Sequence, residues 1–325
     1  MSSNNDKIYE LGLDNVLRPN RWEEYIGQKR IKDNLFILLG AAKKRGVSPE
    51  HLLFYGPPGL GKTSLSLLIA KELNSQIKIT SGPAIDKVGD LASILSNLQD
   101  GDILFIDEIH RLNKNIEEVL YPAMESGVLD IVIGKGPSAR VVQLDLPKFT
   151  LIAATTQVSK ISAPLRSRFS GGVHRLEYYS NEELVDILKI SLTKLAVKDA
   201  DEEALFDIAR RARKTPRIAN FLLKRVRDYA DMHEIKINKK AVDETFKLLD
   251  INEYGLDPVD IKILKTIAEK FNGGPVGLKT LAAALSEEES TIEEVLEPYL
   301  LQEAFIERTA KGRKITNKGM SIIKQ

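Results

Sequence analysis

The chain has 325 residues, 43% hydrophobic and 29% charged, with a formal net charge of +1; that length suits two or three domains, and the near-neutral balance announces no global field for nucleic acid or membrane. It contains no cysteine, which excludes disulfides and thiolate catalysis and suits a reducing cytosol, so a cytoplasmic location is expected. His51, His110, His174 and His233 lack zinc-ligand spacing, and neither a basic-then-apolar leader nor a run of about 18 apolar residues occurs, so no zinc site, signal peptide or membrane span is expected.

Residues 1–16 are polar and are expected to be loose. Helical periodicity runs from Ile31 to about Lys44. His51–Tyr55 reads as a short apolar strand leading into Gly56-Pro57-Pro58-Gly59-Leu60-Gly61-Lys62-Thr63, and a helix follows over 63–73. Next come a strand at 77–80, a helix at 90–98, a buried strand at 103–106, a helix at 115–124 and an apolar strand at 149–154. Short apolar strands alternating with helices predict an α/β core, a parallel sheet with helices on both faces. Before the last strand, VLDIVIGKGPSARVVQLDL (128–146) predicts an inserted β-hairpin turning at Gly134, Gly136 and Pro137.

After Tyr179 the pattern becomes helical, over 181–195, 202–213, 216–230 and 239–249. Ser180 and Glu183 have the spacing of a capping box at its start. A third pattern follows Ile251. A helix opens at Pro258, where proline suits a first turn, and runs to Phe271; further helices cover 278–285 and Thr291 to about Leu301. Two short strands, 305–308 and 313–316, then flank a basic turn, which is a winged-helix outline. The expected domains are 1–179, 180–251 and 252–325.

The segment 56–63 matches G-x-x-x-x-G-K-[ST]. Glycines there let backbone N–H groups wrap phosphates, and the helix that follows presents its positive dipole end. Gly59, Leu60, Gly61, Lys62, Thr63 and Ser64 are therefore expected to hold ATP, with Lys62 on the β/γ-phosphates and the Thr63 hydroxyl on Mg²⁺. The strand at 103–106 ends in Asp107 and Glu108. Asp107 is expected to serve the Mg²⁺, and Glu108 to orient and deprotonate the attacking water. Thr155 and Thr156 end another strand, and either could sense the γ-phosphate or position the water. Phosphoryl transfer also needs cations for the developing charge. Arg217, at a helix start marked by Pro216, is the candidate, with Arg213 its rival.

This order of P-loop, Asp-Glu strand, polar strand end, Ser167-Arg168-Phe169 and helical lid resembles that of the AAA+ ATPases. The resemblance sharpens in LRPNRWEEYIGQ (17–28), GPPGLGKTSL (56–65), DEIHRLN (107–113), IGKGPSAR (133–140), TPRIAN (215–220), GGPVGL (273–278) and EPYLLQ (297–302). These segments resemble the RuvB family of bacterial Holliday-junction branch-migration motors. The loop 166–179 carries one residue more than the family's usual spacing, and Glu125-Ser126-Gly127 is unusual before the hairpin. The resemblance implies an ATP-driven DNA helicase of recombination, DNA repair and the SOS response. It implies a homo-hexameric ring on duplex DNA at four-way junctions, in which Arg168 reaches a neighbouring subunit's nucleotide. It also implies Leu17 and Arg18 near the adenine and Tyr179 beside the nucleotide. The hairpin, with Ile131, Val132 and Ile133, would engage RuvA, and RuvC would join a resolving complex.

The winged helix carries Glu293, Glu294 and Glu297 on the helix that would ordinarily read bases, and carboxylates there repel phosphates. From Arg308 onward there are six basic residues and no acidic one. Arg308 and Arg313 are therefore expected to grip the DNA backbone without reading sequence. A clamp-loader subunit shares the P-loop and S-R-F segments, but a winged helix argues against it. A protein remodeller would need an aromatic pore loop, and a sequence-specific regulator is opposed by the acidic helix.

Overall fold

The computed structural model describes residues 13–133, 140–197 and 199–324. The chain divides into two compact units, split between Tyr179 and Ser180.

The first unit is built on five parallel strands, Leu52–Tyr55 (β1), Ile77–Ser81 (β2), Ile103–Asp107 (β3), Thr150–Thr155 (β6) and Gly172–Arg175 (β7), in the order β2-β3-β6-β1-β7. All six residues of β6 and the first four of β3 are buried. Such continuous apolar runs are what a sheet covered on both faces requires. Leu53, Leu104, Ile106, Leu151 and Ala153 form one core with Leu91, Leu95, Ile116 and Leu120, each large side chain contributing about 1.5–3 kcal/mol by burial. Helix Lys29–Arg45 precedes β1, and helices Lys62–Leu73, Val88–Ser96 and Lys114–Glu125 lie in the connections between the strands. The last begins where the Asn113 side chain accepts from the Ile116 N–H, satisfying an otherwise orphan donor. His51 ties its far end to the sheet: Nδ1 accepts from Leu151 N–H, so Nε2 carries the proton and donates to Met124 O at 3.0 Å.

The inserted hairpin pairs Val128–Ile133 (β4) with Arg140–Asp145 (β5), Val128 opposite Asp145 and Ile133 opposite Arg140. Its expected turn residues, Gly134, Gly136 and Pro137, lie outside the described residues, as do the side chains of Ile131, Val132 and Ile133.

Two features of this unit depart from expectation. Leu13–Leu17 is helical, although residues through 16 were expected to be loose, and Leu17 at its end is buried. Strand β7 was not anticipated. It is four residues long and pairs only with β1 at the sheet edge; with none of its residues buried, it lacks the apolar run by which the central strands are recognised.

In the second unit, helices Asn181–Lys194, Glu202–Arg211, Pro216–Met232 and Lys239–Leu248 pack around residues such as Leu188, Ile208, Leu223 and Phe246. The Ser180–Glu183 capping box is formed. A separate core, including Leu264, Leu281, Leu300, Phe305 and Ile315, holds the rest. The wing strands are Ile306–Thr309 (β8) and Gly312–Ile315 (β9). The helix expected over 291–301 is interrupted by a π-helical stretch, Ile292–Leu296. Pro298 supplies the reason: it has no N–H to continue the α-helical ladder, so the preceding turn widens. A further helix, Asn317–Ile323, follows the wing and was not foreseen.

Candidate nucleotide site

Strand register brings the motifs together. Tyr55 lies beside Thr155, Ile106 beside Ala153 and Ser81 beside Asp107, so β1, β3 and β6 end on one edge of the sheet. The carboxyl edge of a parallel sheet is where such folds bind ligands.

The loop after β1 turns on glycines with positive φ at 56, 59 and 61. A Cβ on Gly56 would come within 2.7 Å of Leu176 O, so a side chain there would force the loop from the sheet. The loop is held from outside by Tyr179, whose hydroxyl donates to Leu60 O at 3.3 Å. Lys62 is 7% exposed and donates to Gly56 O and Pro57 O at 2.8 and 2.9 Å. Burial lowers its pKa, while the charges of Glu108 and Asp107 oppose that shift. Lys62, Asp107 and Glu108 thus share one electrostatic environment. Thr63 and Ser64, half-buried, follow in the first turn of the Lys62–Leu73 helix. Leu17 is buried and Arg18 half-buried at the end of the short first helix.

Across the edge, Glu108 N–H donates to Asp107 Oδ1 at 3.0 Å. The Glu108 backbone is left-handed, at φ 47°, a conformation rarely adopted without glycine. Thr156 meets the Glu108 carboxylate with both its N–H (3.3 Å) and its hydroxyl (3.2 Å). Thr155 instead accepts from Gln157 N–H and lies 2.9 Å from His110 Nδ1. The two threonines that sequence reading left as alternatives therefore occupy different positions, and only Thr156 contacts Glu108 directly.

The short helix Ala163–Ser167 is capped by Ser162, whose hydroxyl accepts from Leu165 N–H and lies 2.8 Å from the Tyr121 hydroxyl. Arg168 follows this helix. Its guanidinium donates to Pro164 O at 2.7 Å and to Glu125 at 3.0 Å, and lies over the Tyr121 ring. Its carboxylate partner comes from another helix, 43 residues away, so the stretch around it in sequence gave no sign of the pair.

In the second unit, the two arginines offered as alternatives separate clearly. Arg217 is exposed in the first turn of the Pro216–Met232 helix. Arg213, by contrast, donates to Gly255 O, Asp257 and Asp260 and lies over the Tyr299 ring. Its charge is committed to the structure.

The wing also differs from its expectation. Glu297 does not face outward: it is 1% exposed and accepts two hydrogen bonds from Arg308 and two from Arg313, at 2.8–3.1 Å. Arg313 is itself only 12% exposed, whereas Arg308 is 46% exposed. Burying a carboxylate requires such pairing. Arg313 therefore staples the wing to the helix rather than standing free, while Arg308 and the exposed Lys311 border the outer turn.

Family models match along the chain: residues 17–176 match the Holliday junction DNA helicase RuvB P-loop domain, 179–252 the RuvB AAA lid domain and 253–324 the RuvB C-terminal winged helix domain. The Holliday junction branch migration complex subunit RuvB of Nitratiruptor sp. is 54% identical over 317 residues, covering 97% of this chain and 93% of that protein. The subunit of the same name from Dehalococcoides mccartyi is 56% identical, covering 94% and 87%. The solved Thermotoga maritima RuvB Holliday junction branch migration motor superposes with a TM-score of 0.87 at 46% identity, covering 95% of this chain and 98% of that one.

Proposed function

This chain belongs to the RuvB family, and from that premise we propose that it is an ATP-driven motor that moves the branch point of Holliday junctions. The observation that carries this reading is the meeting of Lys62, Asp107, Glu108 and Thr156 at one sheet edge, in a chain that also bears the family's lid and winged helix.

Water attacks the γ-phosphorus of ATP, Glu108 takes its proton, and the bond from that phosphorus to the β,γ-bridging oxygen breaks, so that ADP leaves and phosphate is released. Lys62 meets charge on the phosphates, and Arg168 of a neighbouring subunit in a hexameric ring supplies a further cation from outside. Arg217 is assigned to the phosphates by family resemblance, as are Leu17, Arg18 and Tyr179 to the rest of the nucleotide. The Thr63 hydroxyl and Asp107 carboxylate are hard oxygen donors of the kind that hold Mg²⁺. Among the described residues, no group of three or more acidic or histidine side chains gathers as a metal cage; this suits an ion that borrows phosphate and water ligands. When bound, Mg²⁺ neutralises phosphate charge.

The domains we assign are an ATPase domain over 1–179, a lid over 180–251 and a DNA-binding winged helix over 252–325. RuvA is the partner proposed for the hairpin, with RuvC joining the assembly. Val142 and Leu144, on β5, are 39% and 38% exposed and lie opposite Ile131 and Leu129 in register; exposed apolar patches of this kind suit docking. No helix among the described residues is long and apolar enough to cross a membrane, and the work proposed is cytoplasmic.

Duplex DNA is gripped through its backbone by Arg308 and Lys311, with Arg313 supporting the wing from within. Arg308→Gln with Lys311→Gln should weaken duplex binding about equally across sequences and reduce the salt slope by one or two, as measured by salt titration on two unrelated duplexes. Loss on one duplex alone would refute a backbone grip. The activity itself is tested by ATP-dependent dissociation of a synthetic four-way junction, with and without RuvA. Separation into duplex arms should require ATP and be absent in Glu108→Gln; hydrolysis without junction movement under either condition would overturn the motor reading.

A further inference from the structure

The Glu108 carboxylate is held unequally. Oε2 lies 3.3 Å from Thr156 N–H, 3.2 Å from the Thr156 hydroxyl and 3.1 Å from His110 Nδ1. Among the described residues, no hydrogen bond reaches Oε1. Three groups therefore converge on one oxygen and leave the other to take a proton.

His110 is the least expected of the three. Its side chain is 7% exposed, and the same Nδ1 lies 2.9 Å from the Thr155 hydroxyl. A bare Nδ1 would set a lone pair against a carboxylate at 3.1 Å, so the proton belongs on Nδ1, where it is shared between the Thr155 hydroxyl at 2.9 Å and the Glu108 carboxylate. The backbone adds a second constraint. A Cβ on Gly82 would lie 2.4 Å from Glu108 O, so only glycine admits the left-handed turn that presents this carboxylate. The imidazole thus bridges the end of β6, through Thr155, to the carboxylate that follows β3.

We infer that His110 is a positioning residue for hydrolysis: by holding Oε2, it aims Oε1 of Glu108 at the attacking water. The inference rests on reading Glu108 as the hydrolytic base. Donors fixed on one oxygen restrict rotation of the carboxyl group, and a misplacement of about 1 Å costs a reaction on the order of 10²-fold.

The test uses the full chain with junction DNA, steady-state ATP hydrolysis, and equilibrium binding of a fluorescent ATP analogue. His110→Ala should lower kcat on the order of 10- to 100-fold while KM and analogue binding stay within about twofold. His110→Asn, whose amide can donate from nearly the position of Nδ1, should recover most of the loss. His110→Leu retains apolar bulk without a donor and should behave like alanine, so the comparison survives if the alanine variant folds poorly. On a Glu108→Gln background, His110→Ala should cost little more, because its effect is exerted through that carboxylate. Equal loss in the asparagine and leucine variants, or a loss carried by KM and binding, would overturn the inference. So would full kcat in His110→Leu alongside an inactive Glu108→Gln, and that outcome would leave Glu108 as the base. If Glu108→Gln itself kept its kcat, the base assignment would fall, and the inference with it.

Discussion

Glu108→Gln should lose ATP hydrolysis by about 10²- to 10⁴-fold, the range that a positioned general base contributes, while still binding nucleotide. Glutamine keeps the size of the side chain and can still meet the Thr156 hydroxyl, but it has no basic oxygen. Arg168→Ala should be similarly impaired if the arginine serves a neighbour. Within its own protomer, Arg168 is held by Glu125 and Pro164 with its side chain 28% exposed, and Glu125 is 65% exposed. An exposed ion pair of this kind is worth about 0.2–1 kcal/mol, whereas an arginine finger contributes about 10³- to 10⁵-fold to hydrolysis, several kcal/mol. A contact with a neighbour's phosphate would therefore outweigh the pairing with Glu125. Mixing the two inactive variants in equal amounts should restore hydrolysis at about a quarter of the interfaces, those where an intact Glu108 meets an intact Arg168 from next door. Hydrolysis assays across mixing ratios, with co-assembly verified, decide the matter. No recovery at any ratio would show that the arginine does not act between subunits.

Arg213→Ala should destabilise the second unit by about 3–5 kcal/mol near neutral pH, the cost of stranding a buried charge. Asp260 is 0% exposed and accepts from Arg213 at 2.6 Å. Burial raises its carboxyl from the ordinary 3.8 to about 6, with Arg213 pulling the other way. Because the folded-state value is raised, the stability linked to this group is fully present below pH 3.8 and is lost as pH rises through about 6. Without Arg213 the carboxyl rises further and can take up a proton in place of the ion pair. The penalty should therefore be large at pH 8 and smaller at pH 5. Denaturant unfolding of the wild type and variant at both pH values measures this, and an equal penalty at the two would show that the charge of Asp260 is not its source.

The motifs that bind and hydrolyse nucleotide were legible because each is local. A P-loop needs its glycines, lysine and threonine at consecutive positions, and Asp107-Glu108 needs only a buried strand before it. The apolar runs of β1, β3 and β6 likewise announce a covered parallel sheet, and the capping box of Ser180 and Glu183 marks a helix start from four residues. The edge strand β7 was not legible. It owes its pairing to the backbone of β1, and nothing in Gly172–Arg175 alone requires it.

Charges were read less well than elements, since a charge is defined by its partner. Glu297 looked like a phosphate-repelling residue on a recognition helix, and Arg313 like a free cation, until folding buried each against the other. Arg217 was the candidate in sequence and Arg213 its rival; the left-handed backbone at Arg213 and its contacts with Asp257, Asp260 and Tyr299 separated them. His110 stood out only as lacking zinc spacing, yet it lies between Thr155 and Glu108, residues 45 positions away and two positions away. The sequence by itself determined the central strands, the phosphate loop and the acidic pair that ends β3, all set by short-range backbone geometry and solvent exclusion. The tertiary structure decided which arginines are committed to ion pairs and which oxygen of Glu108 is anchored, because ion pairs and hydrogen bonds act over about 3 Å between groups that only folding brings together.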